Sequence, residues 1–290
     1  MSQPVFSIII PHYNIPELLV RCIKSIPVNE DIQVIVVDDC SPNADKYQET
    51  YPELSRPYLE YYSTPKGGSA GRARNVGIEH AKGKWLSFVD ADDLLVENAA
   101  DILFKYKDRP EDVLFFQSKS VMCDDLTKLS GRNIFSYNFE HYFKTGNEQT
   151  LRLEFDAPWG KLIKKSLIDK YQIRFDQVRY SNDTYFSTAI GVYAKSIFVP
   201  KEILYIVTER TGSLTSAKIK TFEEWKIRYR STLRVQNFFD EHNIRYKRYA
   251  FADFLQEIWH RDKKVYFKEF IELSFRNKFR ILYYHLRMMR

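Results

Sequence analysis

The sequence has no long apolar run, since no stretch approaches the roughly 20 consecutive apolar residues that span a bilayer. It also has no basic segment ahead of its first apolar residues, as a secretory signal peptide would have. These absences argue against a membrane-spanning or secreted protein. We therefore expect a cytoplasmic protein that is at most peripheral on the inner face of the cell membrane.

Cysteine is scarce and widely spaced. The three cysteines, Cys22, Cys40 and Cys123, are odd in number and show no Cys-x-x-Cys pattern. This argues against both a disulfide framework and a zinc site built on that motif. We expect all three thiols to be reduced and structural. The G-x-G-x-x-G spacing of a dinucleotide loop is also missing, because residues 67–71 read Gly-Gly-Ser-Ala-Gly.

What the chain does contain is enough apolar surface for a large core. Its 290 residues are 44% hydrophobic and 16% aromatic, which suits one large α/β domain with a smaller appendage. The net charge of +6 comes from the end of the chain, where residues 245–290 hold 12 Lys or Arg against 5 Asp or Glu. A partner attracted by positive charge would therefore meet the tail.

Uninterrupted apolar runs in the first hundred residues predict buried strands. Strands without polar alternation are buried on both faces, which indicates a parallel sheet with helices on either side. Alternation of such strands with helical patterns is typical of a Rossmann-like half, in which ligands bind at the carboxyl ends of the strands. The predicted strands cover residues 6–10, 32–37, 58–62 and the run from Trp85, and the predicted helices cover 16–26, 71–82 and 97–107.

Three carboxylates lie together where the Trp85 run ends. Asp90 and Asp92 alternate with Ala91, so an extended backbone would project both side chains to one side. Their repulsion calls for a positive counter-charge, and carboxylates are hard ligands suited to Mg²⁺ or Mn²⁺. The alternative is that these residues only cap a helix starting near Leu94. Loops 11–14, 38–41 and 90–93 all follow predicted strands, so we expect them to converge.

Beyond residue 110 the pattern is mixed. Strands are predicted over residues 113–116 and 119–123. The segment 162–171 is predicted to begin as a strand and continue as a helix, and a further helix is predicted from Asp183 to residue 194. Residues 132–147 carry no clear pattern. Residues 196–199 and 204–207 are expected to close the main sheet, and helical periodicity dominates after Phe222.

Taken together, five segments resemble glycosyltransferase family 2, whose members are inverting, nucleotide-sugar-dependent enzymes with the GT-A fold. The resemblance implies an α/β domain over residues 1–216, with a nucleotide-sugar half to about 110 and an acceptor half beyond it, followed by a helical extension over 217–290. It also implies transfer to a saccharide or lipid-linked saccharide in bacterial surface-polysaccharide synthesis. The segments are Ser-Ile-Ile-Ile-Pro-His-Tyr-Asn (7–14), Val-Ile-Val-Val-Asp-Asp-Cys-Ser (34–41), Gly-Arg-Ala-Arg-Asn-Val-Gly (71–77), Phe-Val-Asp-Ala-Asp-Asp (88–93) and Asn-Asp (182–183).

The resemblance also implies roles for residues of the donor site. Pro11 and Tyr13 would flank the base of a UDP-sugar, and Asp39 would accept from the uracil N–H. For Asp38 and Asp39 the alternative is a solvated turn. Asp92 would bind Mn²⁺ or Mg²⁺ directly, and Asp90 would reach the ribose or the water shell of the metal. Asp93, next in the chain, could cap the following helix.

For catalysis, the resemblance implies that Asp183 is the base that takes the proton of the acceptor hydroxyl. This chain has Asn182 before it where relatives usually have Glu, which leaves the role of that neighbour open. The alternative for Asp183 is a helix N-cap.

Three further residues are weaker candidates. Arg74, or Arg72 beside it, would lie near phosphate or ribose, the alternative being a solvated helix face. Arg210 begins a segment, residues 210–215, that resembles a lid over the diphosphate, the alternative being an ordinary loop. Trp159 would line the acceptor pocket or simply fill the core.

The tail interleaves aromatic residues with cations, most densely over residues 278–287. Such a stretch could lie on an anionic membrane surface. Equally, it could pack its aromatic face on the catalytic domain, and the two are compatible.

Two other protein classes compete with the glycosyltransferase interpretation. A nucleotidyltransferase would carry a Gly-rich basic loop after its first strand, where this chain has Pro11-His12-Tyr13-Asn14. A nucleic-acid-binding protein would use the basic tail, but this leaves the acidic loops unexplained. We therefore expect no nucleic-acid partner.

Overall fold

The computed structural model describes residues 3–132, 135–210, 221–246 and 250–288. The chain divides into two compact units, Met1–Ser213 and Leu214–Arg290. The strands of the first unit are β1 Phe6–His12, β2 Ile32–Asp38, β3 Leu59–Ser63, β4 Trp85–Phe88, β5 Leu94–Leu95, β6 Val113–Phe115, β7 Gln117–Met122, β8 Lys161–Lys164, β9 Ile197–Phe198 and β10 Ile203–Glu209. Its helices are α1 Pro16–Ser25, α2 Tyr47–Thr50, α3 Ala70–His80, α4 Ala99–Tyr106, α5 Ser136–Thr145, α6 Gln149–Glu154, α7 Lys165–Tyr171 and α8 Thr184–Tyr193, with 3-10 turns at Ala44–Lys46 and Pro52–Ser55.

The main sheet has seven strands in the order β3-β2-β1-β4-β8-β6-β9. The first four are parallel to one another, β8 runs antiparallel to β4 and β6, and β9 is parallel to β6. Every residue of β1 and β2 is buried, as their uninterrupted apolar runs predict. The predicted α/β class, a mostly parallel sheet flanked by helices, is therefore confirmed.

A second sheet, β5-β10-β7, changes one detail of the prediction. Residues 204–207 do not close the main sheet, because β10 pairs with β5 and β7 instead. The physical reason lies after Asp93, where the chain forms the short strand β5 rather than a helix. This strand gives β10 a backbone edge with which to pair.

Helix α3 packs very closely on β1. A Cβ atom at Gly77 would lie 2.3 Å from Cγ2 of Ile9, so only glycine fits at this contact. The close approach fixes the position of the arginines in the preceding turn. Further along, residues 132–147 contain α5, which ends at Gly146 in the left-handed conformation with φ of 71°.

The second unit has an apolar core of its own. Its helices are α9 Phe222–Glu241, α10 Ala250–Arg261, α11 Lys263–Glu272 and α12 Phe275–Met288. Helix α9 begins with a capping box between Thr221 and Glu224. No described helix combines the length and apolar composition needed to cross a bilayer. The buried core residues are Tyr229, Phe251, Ala252, Leu255, Ile258, Leu273 and Ile281.

Candidate active site

Three polar loops follow β1, β2 and β4, which are neighbours in the main sheet. Because these strands are parallel, their carboxyl ends lie at the same edge. A buried hydrogen bond of 2.8 Å joins Nδ1 of His12 to Oδ2 of Asp38 and ties the first loop to the second. Burial opposes ionisation of Asp38, but hydrogen bonds from His12 and Ser41 outweigh it and lower the pKa of that carboxyl. The first two loops are therefore joined by a buried hydrogen bond to a carboxylate whose ionised form is favoured.

Pro11 and Tyr13 differ in how they are presented. Pro11 is buried in β1 opposite Val37. Tyr13 lies just beyond the strand with 59% of its surface exposed. Its ring is therefore accessible to a planar ligand at this edge of the sheet.

Asp39 connects the second loop to the glycine-rich segment of residues 67–71. Its carboxylate accepts from the Thr64 hydroxyl at 3.0 Å and from the Gly68 amide at 2.9 Å. The solvated-turn alternative is wrong for this residue and for Asp38, because both are buried. Each carboxylate oxygen has a second lone pair, so Asp39 retains the capacity to accept from a ligand N–H.

Asp90 and Asp92 each meet one arginine. Oδ1 of Asp90 lies 2.6 Å from Nη2 of Arg74, and Oδ2 of Asp92 lies 3.3 Å from Nε of Arg210. Burial and the adjacent charge of Asp90 raise the pKa of Asp92, against the opposing charge of Arg210. The two arginines thus only partly compensate the negative charge of Asp90 and Asp92.

Asp93 has a structural role that the sequence did not predict. Its carboxylate accepts from the Tyr205 hydroxyl and the Thr208 amide, both at 2.7 Å, so it ties the acidic loop to β10 and does not cap a helix. The Tyr205 hydroxyl also accepts from the Asp90 amide at 3.0 Å. Burial raises the pKa of Asp93 well above its usual range. A tyrosine within an otherwise apolar strand was the available signal for this contact.

The carboxylates suit a cation without forming a complete cage. Among the described residues, no three His, Cys, Asp or Glu side chains are grouped as a metal centre. Asp90 and Asp92 nevertheless offer hard oxygen ligands and are partly exposed. A divalent cation would offset the crowding that raises the pKa of Asp92. The residues fit a site in which ligand phosphates complete the coordination.

Arg74 is the central cation of this edge. Only 5% of its surface is exposed, so the solvated-face alternative is wrong. Besides Asp90, its guanidinium donates to Oδ1 of Asn182 at 2.9 Å, and it lies over the ring of Phe175. The role of Asn182, the residue before Asp183, was left open by the sequence. In the structure its side-chain oxygen accepts a hydrogen bond from the guanidinium of Arg74.

Asp183 precedes α8, but its side chain makes no capping hydrogen bond. Asp183 thus occupies the N-cap position, as the alternative expected, but its carboxylate does not perform the capping. Burial raises the pKa of Asp183, and the charges of Asp156 and Asp90 add to this, whereas the charge of Arg74 opposes it. A carboxylate whose pKa is raised by burial accepts a proton more readily than an ordinary one.

Trp159 lies two residues before β8, and Lys161 is the first residue of that strand. Trp159 is 7% exposed and stacks on Tyr205, with ring centroids 4.8 Å apart, so burial favours the core-filling alternative. Lys161 is 1% exposed, and its Nζ donates to the carbonyls of Phe155 and Ala157, both at 2.7 Å. Burial lowers the pKa of Lys161 to about 7.

From the sequence, Trp159-Gly160-Lys161 was expected where relatives line the acceptor pocket, but Lys161 itself was given no role, and Asp156 was not singled out. A lysine flanked by glycine and an apolar run was the only signal for the former. Arg210 lies just after β10, and the rest of the predicted lid, residues 211–215, lies outside the described residues.

The sequence profile described as "Glycosyl transferase family 2" matches residues 7–172, which is more than half of the chain. Glycosyltransferase GlyA of Streptococcus pneumoniae is 23% identical over 228 residues, covering 72% of this chain and 31% of GlyA. The poly(ribitol-phosphate) beta-N-acetylglucosaminyltransferase TarS of Staphylococcus aureus is 26% identical over 231 residues, covering 76% of this chain and 38% of TarS. The chain thus spans less than two fifths of either relative.

Solved structures show the same architecture. The crystal structure of S. aureus TarS 1-349 in complex with UDP-GlcNAc matches with a TM-score of 0.63 at 19% identity, covering 94% of this chain and 77% of that chain. The mannosyltransferase PcManGT from Pyrobaculum calidifontis, in complex with GDP-Man and Mn²⁺, matches with a TM-score of 0.53 at 16% identity, covering 85% and 66%. The predicted GT-A fold is confirmed.

Proposed function

This chain belongs to glycosyl transferase family 2, and from that membership we propose that it transfers a sugar, with inversion, from a UDP-sugar to a saccharide hydroxyl. The observation that carries the proposal is the position of Arg74. One buried guanidinium binds Asp90, at the end of β4, and Asn182, next to Asp183. Arg74 thus links the loop of Asp90, the carboxylate proposed to bind the donor, to the neighbour of Asp183, the carboxylate proposed to accept the proton.

The donor nucleotide would occupy the edge formed by the first two loops. The exposed ring of Tyr13 offers a stacking surface beside Pro11, and Asp39 has lone pairs for the uracil N–H. Asp90 would accept from the ribose. The complex of TarS with UDP-GlcNAc supports a UDP-sugar as the donor class.

A divalent cation, Mn²⁺ or Mg²⁺, would be held by Asp92 with help from Asp90. When bound, it would neutralise charge on the leaving diphosphate. Arg210 lies against Asp92 and could bind the same diphosphate from the protein side. The Mn²⁺ complex of PcManGT supports this ion in the fold.

In the reaction, the acceptor oxygen forms a bond to the anomeric carbon while the bond from that carbon to the diphosphate breaks. Asp183 takes the hydroxyl proton, and the diphosphate leaves with the bonding electron pair. Burial raises the pKa of Asp183 and makes it a stronger base, while the charge of Arg74 opposes this shift. Trp159 stays a candidate for the acceptor wall, against its burial and its stacking on Tyr205, which favour a core role.

The acceptor class is the least specific part of the proposal. TarS is named for a poly(ribitol-phosphate) acceptor, and GlyA is also a bacterial glycosyltransferase. We infer a polyhydroxylated surface polymer or its lipid-linked precursor, assembled in the cytoplasm.

Calorimetric titration of UDP tests the donor and metal sites together. We expect binding in the presence of Mn²⁺, loss of binding with EDTA, and the same loss in Asp92→Ala. Asp101→Ala is the matched control, because Asp101 is an exposed aspartate on α4. Binding of UDP that is indifferent to both Mn²⁺ and Asp92 would contradict the metal site, and no binding to UDP would contradict the donor class.

A further inference from the structure

The second unit exposes an unusual amount of apolar surface on its last two helices. Phe267 and Ile271 lie one turn apart on α11, and Phe275, Phe279 and Leu282 follow a single stripe on α12. Phe275 has 85% of its surface exposed. We call these five side chains the outer face.

The outer face is not part of the core of its own unit. Leu273, directly after α11, and Ile281 on α12 are buried and belong to the same core cluster as Tyr229 and Phe251. The unit therefore has a closed core without the outer residues. Exposed aromatic and aliphatic side chains that line one face of a helix are a mark of an interaction surface.

The cations of this region fall into two groups. Arg276 and Arg280 bind the carboxylate of Asp240 on α9, so part of the basic character seen in the sequence is structural. In contrast, Lys264 and Lys268 are exposed and share a helix face with Phe267 and Ile271. Charge and apolar surface therefore coincide on α11.

Residues 263–283 contain six Lys or Arg and two Glu, so the surplus is positive. An apolar stripe bordered by lysines is complementary to a bilayer surface, where rings reach the acyl boundary and ammonium groups meet phosphates. Neither helix is long and apolar enough to cross the bilayer.

We propose that the outer face of α11 and α12 docks in the plane of an anionic membrane, with Lys264 and Lys268 against lipid phosphates. This goes beyond the proposed function and does not depend on it. It would keep the catalytic unit at the surface where lipid-linked acceptors lie. The sequence alone suggested a membrane contact at residues 278–287. The structure-based proposal extends that contact to α11.

Substitutions serve the test better than deletion of the end of the chain. Such a deletion would remove Ile281 from the core and Asn277, whose amide donates to Asn237 at 2.8 Å. The exposed side chains can be replaced without this damage. The apolar variant is Phe275→Ser with Phe279→Ser, and the charge variant is Lys264→Glu with Lys268→Glu.

The assay is sedimentation of the full chain with vesicles of phosphatidylcholine alone or mixed with phosphatidylglycerol. We expect binding only to the anionic vesicles, weakened by salt, and about tenfold weaker in either double variant. Matched controls in the first unit are Leu129→Ser and Lys144→Glu, because both side chains are exposed and outside this face. Thermal unfolding followed by circular dichroism checks that all variants are folded.

Three outcomes would overturn the proposal. The first is failure of the wild type to bind anionic vesicles, and the second is undiminished binding of both double variants. The third is a concentration-dependent dimer, detected by analytical ultracentrifugation, that the apolar variant abolishes, since this would assign the face to a second copy of the chain. UDP titration of the same variants separates these results from the donor site, because we expect UDP affinity to be unchanged.

Discussion

Lys161 provides a sharp test of the electrostatics around the proposed base. In the folded chain its pKa is lowered from the ordinary 10.5 to about 7 by burial, although the charges of Asp156 and Asp183 oppose this. A neutral amine has two N–H groups, which match the two carbonyls that it meets, those of Phe155 and Ala157. We therefore expect the folded protein to hold Lys161 without its extra proton above about pH 7.

The consequence is a dependence of stability on pH with a definite sign. Between about pH 7 and about pH 10.5 the unfolded chain binds a proton at Lys161 that the folded chain does not, so the stability from this residue rises with pH. The slope approaches about 1.4 kcal/mol per pH unit. From about pH 7 to about pH 9.5 the gain is roughly 3 kcal/mol.

Lys161→Met removes this titration and leaves two carbonyls without a donor. Each lost hydrogen bond lowers the free energy of unfolding by about 1 to 3 kcal/mol, and this loss does not change with pH. The stability difference between wild type and variant, measured by urea unfolding, should therefore widen by about 3 kcal/mol over that pH range. Lys144→Met, at an exposed position on α5, should run parallel to wild type. Parallel curves for Lys161→Met would refute the reasoning.

Two other substitutions test the site and its support. Asp183→Asn should lower turnover by roughly 10²- to 10⁴-fold while UDP affinity stays the same, because it removes the proton acceptor and leaves the donor loops intact; near-normal turnover would exclude Asp183 as the base. Gly77→Ala should destabilise the first unit by about 1 to 3 kcal/mol, because its methyl group would meet Ile9. Gly131→Ala is the control in thermal unfolding, since a Cβ there meets no atom within 4 Å.

The sequence predicted those parts of the fold that depend on local pattern. Uninterrupted apolar runs identified β1 and β2, and polar residues directly after them marked the strand ends. The placement of Asp38 and Asp90 at one edge follows from parallel pairing alone.

What the sequence did not predict depends on contacts between distant residues. The pairing of β10 with β5 and β7 is decided by backbone edges that no local pattern identifies. Lysine is normally exposed, so burial of Lys161 depends on two carbonyls that only the folded segment presents. Likewise, the sequence did not show which cations of the last helices are paired. Arg280 binds Asp240 on α9, a contact that only the folded chain brings together.

The bonds from Asp93 to Tyr205 and Thr208 bear on the order of events during synthesis. They join residues 112 and 115 positions apart, about half the length of the first unit. The parallel core of β1 to β4 can form from the first third of the chain, but the acidic loop gains its anchor only after β10 has left the ribosome. The anchoring of the acidic loop is therefore a property of the finished first unit, which a nascent chain that ends before β10 lacks.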